Sequence, residues 1–111
     1  VRPAGFDEGH YIMGGDADGL EVIVEDGVAK LADRSALAGS VSTMDYIVRT
    51  VRDLTGLPLA KVVQRATQTP ARIMGVDDRK GMIKEGYDAD VLIFDENVEL
   101  SHVFVKGKLY Q

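Results

Sequence analysis

The chain has 111 residues, 45% hydrophobic and 28% charged, with no cysteine and a formal net charge of −5. That length sets the expectation of one domain with one core, and the composition is that of a folded globular protein rather than a disordered one. No apolar run approaches the roughly 20 residues that span a bilayer, an acidic chain is poorly suited to nucleic acid or an anionic membrane, and without cysteine neither a disulfide framework nor a thiolate metal site can form.

The chain opens Val1-Arg2-Pro3-Ala4-Gly5, with no initiator Met, no basic n-region and no apolar h-region. No secretory address is expected from this, so a cytoplasmic location is, and the chain reads as a fragment or a processed product. Charge is uneven along it. Residues 1–40 carry 8 acids and 3 bases, residues 41–82 carry 4 and 7, and residues 83–111 carry 6 and 3. The first block is turn-rich, broken by Gly5, Gly9, Gly14, Gly15, Gly19 and Gly27. Leu20, Val22 and Val24 alternate with Glu21, Ile23 and Glu25, as a strand does. Asp26-Gly27 then precedes Val28 to Leu31, and an Asp-Gly pair between β-prone runs signals a hairpin. Strands are therefore predicted at 20–25 and 28–32.

The middle block is helical. Met44, Ile47, Val48, Val51 and Leu54 form an apolar stripe at spacings of three and four. Ser42 with Asp45 three residues on resembles a capping box, and Gly56 suits the C′ position. Pro58 fits the first turn of a second helix, with Leu59, Val62, Val63 and Ala66 as its buried face. Thr69 as N-cap and Pro70 at N1 start a short third helix that stops at Gly75. Beyond it, Gly81 and Gly86 mark turns about Met82-Ile83. The run Val91-Leu92-Ile93-Phe94 between acids suits a strand buried on both faces, and His102 to Val105 is a second strand, turned by Gly107.

Chemistry-bearing residues are few. His10 and His102, the two histidines, are far apart in sequence, so no metal enzyme contained wholly within the chain is expected. His10 reads as a surface-loop histidine and His102 as a residue at a strand start. Arg49 and Arg52, three apart on a helix, could hold a phosphate, but the plainer reading is a solvated face. Asp88 and Asp90 read as strand-start residues that point the same way, and Asp77-Asp78-Arg79-Lys80 as a solvated loop.

Two stretches carry a resemblance. Thr67-Gln68-Thr69-Pro70-Ala71-Arg72-Ile73-Met74-Gly75, then Gly81-Met82-Ile83-Lys84-Glu85-Gly86, then Ala89 to Asp95, resembles the C-terminal signature of the amidohydrolase superfamily. Ala36-Leu37-Ala38-Gly39-Ser40 followed by Thr43-Met44-Asp45 resembles a segment of N-acetylglucosamine-6-phosphate deacetylases, as do Arg2-Pro3-Ala4-Gly5 and Gly9 to Gly14. The resemblance covers essentially the whole chain. It implies an α/β fold: the C-terminal portion of a metal-dependent (β/α)8 barrel plus strands of its small flanking β-domain. Residues 1–80 would supply the last strands, hairpin and helices of the barrel, and 81–111 the strands of the β-domain. It further implies hydrolysis of N-acetylglucosamine 6-phosphate to glucosamine 6-phosphate and acetate, assisted by a divalent metal (zinc, iron or manganese) with an aspartate as general base and then acid. Those groups would lie upstream of Val1, so no catalytic residue and no metal ligand is assigned within this chain, which alone is expected to be inactive. The segment Leu37, Ala38, Gly39 and Ser40 is expected to line the pocket for the phosphorylated amino sugar. Gly39 has no Cβ to obstruct a ligand, and the following helix start offers free N–H groups. A homo-oligomer is expected, a dimer for the parent and self-association for the fragment. A dihydroorotase-like cyclic amidase tail and a non-catalytic stand-alone module remain as alternatives.

Overall fold

The computed structural model describes residues 4–14 and 19–110. Arg2, Pro3 and Gly15, which entered the sequence reading above, lie outside the described residues. The chain divides into two compact units, residues 1–43 and residues 44–111.

The first unit is an antiparallel meander. Its strands are β1 (Gly9–Met13), β2 (Leu20–Glu25), β3 (Val28–Leu31) and β4 (Leu37–Gly39), in that spatial order. The predicted hairpin is present: Val24 faces Ala29 and Glu25 faces Val28 across it. Asp26 and Gly27 both take positive φ, 53° and 70°, the combination that gives a two-residue turn the twist of its strands. Among the described residues of this unit, Val22, Ile23, Val24 and Ala29 are buried. Ile23 is thus buried as well as its neighbours, so central strand β2 is covered on both faces rather than half-exposed.

Glu25 ends β2 and organises the surface beside the turn. Its carboxylate accepts from Arg34 Nε at 2.9 Å and Nη2 at 3.0 Å and from Lys30 Nζ at 3.1 Å. The Arg34 hydrogen bonds, and next the Lys30 one, hold this carboxyl well down, at about 2. A depressed folded pKa contributes stability that is fully present above the unfolded value and is lost as pH falls through the folded one. Wild type should therefore melt above Glu25→Gln at neutral pH, with the difference fading between about pH 4.5 and 2. Glu25 is half-buried but its partner Arg34 stands in solvent, so the effect is small and salt-screened. Melts of both proteins across that window, monitored by a probe in β1–β3, check it; a constant difference would remove Glu25 from the account.

The second unit holds α1 (Met44–Thr55), α2 (Leu59–Ala66) and α3 (Gln68–Ile73), then β5 (Val91–Phe94), β6 (Leu100–Val105) and β7 (Lys108–Leu109) in one antiparallel sheet. Val48, Val62 and Val98 form its core, with Val51, Leu57, Leu59, Ala66 and Phe94 packed around them. Gly56 and Gly75, both with φ 66°, end α1 and α3 as expected. Pro58 is the N-cap of α2 rather than its first residue, and its carbonyl accepts from Lys61 at 2.8 Å. Thr67, not Thr69, caps α3, which moves Pro70 to its third residue. Pro70 is tolerated there because the first-turn N–H groups have no helical acceptor in any case.

The barrel expectation is corrected. Every strand pairing among the described residues is antiparallel, and the three helices follow one another with no strand between them. A (β/α)8 barrel needs parallel strands joined by helical crossovers. Here tight turns at Asp26-Gly27 and Lys106-Gly107 join sequential strands, which obliges them to run antiparallel. The architecture is a mixed α/β fold with two small antiparallel sheets and three helices, not a closed barrel. The expectation for Val91–Phe94 is corrected too. β5 is an edge strand, and Leu92 and Ile93 are exposed rather than buried on both faces. Likewise the stripe on α1 buries Val48 but leaves Met44, Ile47 and Leu54 exposed.

Candidate functional site

Leu37, Ala38 and Gly39 form edge strand β4, where Leu37 faces Lys30 and Gly39 faces Ala29. Leu37 is 75% exposed, Ala38 and Gly39 are half-buried, and Ser40 is exposed. The Ser40 hydroxyl accepts from the Ser42 N–H at 3.1 Å, and the Val41 carbonyl accepts from Gly5 N–H at 2.9 Å. These bonds shape a turn after the strand. Gly39 is extended and is not among the positive-φ glycines, so its use is the missing Cβ and not left-handed backbone. α1 starts at Met44, four residues past Ser40 in the chain and in the other compact unit.

The superfamily-like signature builds a second cluster, and its role is mechanical. Lys80 Nζ pairs with Asp88 at 2.8 Å and also with Asp90, while Arg79 Nη1 donates to Asp88 at 3.0 Å. Asp90 also accepts from the Lys106 N–H at 2.8 Å. The two carboxylates raise the Lys80 ammonium above its ordinary value, Asp88 more than Asp90. In turn Lys80 first, then Arg79, lowers Asp88, and Lys80 with the Lys106 N–H lowers Asp90. So Asp88 and Asp90 do point one way, onto Lys80, and tie the loop after α3 to the entrance of β5 and the β6–β7 turn. Asp77-Asp78-Arg79-Lys80 is therefore only partly the solvated loop expected of it.

Arg49 and Arg52 are neither a phosphate clamp nor a solvated face. Arg49 donates to Asp45 at 2.9 Å and to the Val98 carbonyl at 3.0 Å, and Arg52 donates to the Glu96 carbonyl at 2.5 Å and to Asp53 at 2.8 Å. They bind the β5–β6 turn. Sequence reasoning missed that turn altogether. Its one local signal is Asp95, whose Oδ1 accepts from Asn97 N–H at 2.8 Å and Glu99 N–H at 2.9 Å, the self-bonding habit of Asp in turns.

His10 lies exposed on β1, a strand rather than the expected loop, and His102 lies exposed on β6 with Nδ1 3.1 Å from Ser101 Oγ. The divalent metal implied by the resemblance finds no fit here. Among the described residues no group of three or more His, Asp or Glu could hold an ion. No helix among the described residues is long and apolar enough to cross a membrane.

Fold and clusters together define a mixed α/β segment of two small antiparallel sheets and three helices, in which the Glu25 and Asp88–Lys80–Asp90 clusters hold loops in place. The chain belongs to the amidohydrolase family, whose sequence profile matches residues 14–110. It is 40% identical over 80 residues to an N-acetylglucosamine-6-phosphate deacetylase of Caenorhabditis elegans, covering 72% of this chain and 19% of that protein. It is 33% identical over 109 residues to an N-acetylgalactosamine-6-phosphate deacetylase of Escherichia coli O157:H7, covering 98% of this chain and 28% of that one. The crystal structure of N-acetylglucosamine-6-phosphate deacetylase from Thermotoga maritima superposes with a TM-score of 0.80 at 29% identity, over 98% of this chain and 28% of that chain. The chain thus spans only a fifth to under a third of the length of these three relatives.

Proposed function

We propose that this chain is a C-terminal segment of a longer hydrolase that deacetylates N-acetylglucosamine 6-phosphate to glucosamine 6-phosphate and acetate. The observation that carries the reading is the similarity, over nearly the whole chain, to proteins named for deacetylating N-acetyl amino-sugar 6-phosphates. In that reaction water adds to the acetyl carbonyl, the C–N bond breaks, and the amine leaves with a proton. No residue of this chain is assigned to those steps, and none is routed through a metal. Its contribution is to the pocket: Leu37, Ala38, Gly39 and Ser40 contact the sugar phosphate along the open edge of β4. Ser40 offers a hydroxyl, and the free strand edge offers backbone N–H and C=O groups. Gly39 lets the ligand lie against the backbone.

The test pairs two proteins. Acetate release from N-acetylglucosamine 6-phosphate and its galactose epimer is measured with zinc, iron or manganese added. The 111-residue chain alone should show no turnover. A full-length deacetylase carrying this segment should turn over, and Gly39→Val in it should raise KM about tenfold or more, a loss of ~1.4 kcal/mol of binding, with little change in melting temperature. Turnover by the chain alone would sink the segment reading. Unchanged KM would remove β4 from the pocket.

A further inference from the structure

The β5–β6 turn carries an outlier. Val98 is β-branched, sits at φ 61°, and is only 3% exposed. A branched residue in left-handed backbone is uncommon and persists where its surroundings over-determine it. Here they do so from three sides. The side chain packs between Val48 of α1 and Val62 of α2. The Val98 N–H donates to the Asp95 carbonyl at 3.0 Å, and the Asp95 carboxylate holds the Asn97 and Glu99 N–H groups. From the helix side, Arg49 and Arg52 seize the carbonyls of Val98 and Glu96.

We propose that residues 95–99 are a spring-loaded clip, with Val98 as its peg and Arg49 and Arg52 as its closure, whose release lets α1 and the β5–β6 hairpin open together as one cooperative step before the whole chain unfolds. The strain at Val98 favours the open form. Relaxing φ withdraws the peg from between Val48 and Val62, and both arginines then lose their carbonyls together. Nothing in this depends on the deacetylase reading.

Amide hydrogen exchange on the 111-residue chain tests it. In wild type at rising sub-denaturing urea, amides of α1 and of β6 should merge onto one opening isotherm that lies below global unfolding. In Arg49→Ala/Arg52→Ala both sets should exchange about a hundredfold faster, about tenfold for each of the two charge-assisted hydrogen bonds lost, while β2 amides of the first unit stay unchanged. Acceleration confined to residues 95–99, equal acceleration in β2, or no change would each overturn the clip. Should the double variant fail to fold, the wild-type isotherms still decide: separate openings for α1 and β6 refute it, and a shared one supports it.

Discussion

Gly81→Ala should cost the second unit ~2–4 kcal/mol, combining the left-handed strain of a Cβ with overpacking of a filled site. Gly81 has φ +87°, and a Cβ there would stand 2.9 Å from Ala71 Cβ, 3.0 Å from the Thr67 carbonyl oxygen and 3.1 Å from Gln68 Cα. Two of these neighbours are backbone of α3 and its cap, so no side-chain rotation makes room. Ala71 is itself buried. The close approach of the 81 loop to α3 is thus what the small residues of the two sequence signatures provide: Ala71 on the helix, Gly81 on the loop. Gly86 is the control, with a similar φ of +84° but nothing within 4 Å of its Cβ. Gly86→Ala should cost only the backbone strain, ~1 kcal/mol. For a unit of this size, 1 kcal/mol moves the melting temperature by roughly 4–8 °C, so the two variants are separable in a thermal melt. Ala71→Gly should rescue Gly81→Ala only slightly, since the Thr67 and Gln68 atoms remain. Equal melting temperatures for Gly81→Ala and Gly86→Ala would show that the loop gives way and that the packing account is wrong.

How far the sequence could lead depended on whether a feature's cause was local. The β2–β3 hairpin was legible because Asp26 and Gly27 supply the turn themselves, and α1 and α2 because an apolar period, Gly56 and Pro58 lie within a few residues of one another. β1 and β4 escaped because they are short and owe their strand state to the neighbours they pair with, which no window of sequence displays. The arginines of α1 were misread for the same reason: their acceptors are main-chain carbonyls 44 and 49 residues away. An acceptor on the backbone leaves no mark on residue type. The antiparallel sheets were in fact announced by Asp26-Gly27 and Gly107, and the barrel expectation came from the resemblance rather than from those turns. The candidate site is the reverse case. Residues 37–40 show little by themselves beyond a small-residue run before a helix, and their assignment to a sugar-phosphate pocket rests on what the chain resembles.

The 111-residue chain on its own should self-associate as concentration rises. Among the described residues eight apolar side chains are buried while 17 large ones are exposed, and the exposed ones cluster. Ile73 ends α3, Met74, Met82 and Ile83 follow it, and Ile83 is 86% exposed. Leu92 and Ile93 stand on β5, an edge strand with one side of its backbone unpaired in the sheet order β5-β6-β7. An apolar edge offers both hydrogen-bonding groups and hydrophobic cover to another copy. The net charge of −5 opposes association, but screened repulsion falls off within about 10 Å at ordinary salt and leaves the apolar surface in place. Added salt should therefore promote the association, the opposite of what an ion-paired interface would do. Light scattering over a concentration series should show mass rising above that of one chain. Ile93→Lys, which places a charge on the edge without entering the core, should shift the onset to several-fold higher concentration with the melt preserved. A mass of one chain at every concentration, with a cooperative melt, would show that these exposed residues need no cover and that the edge of β5 is closed to partners.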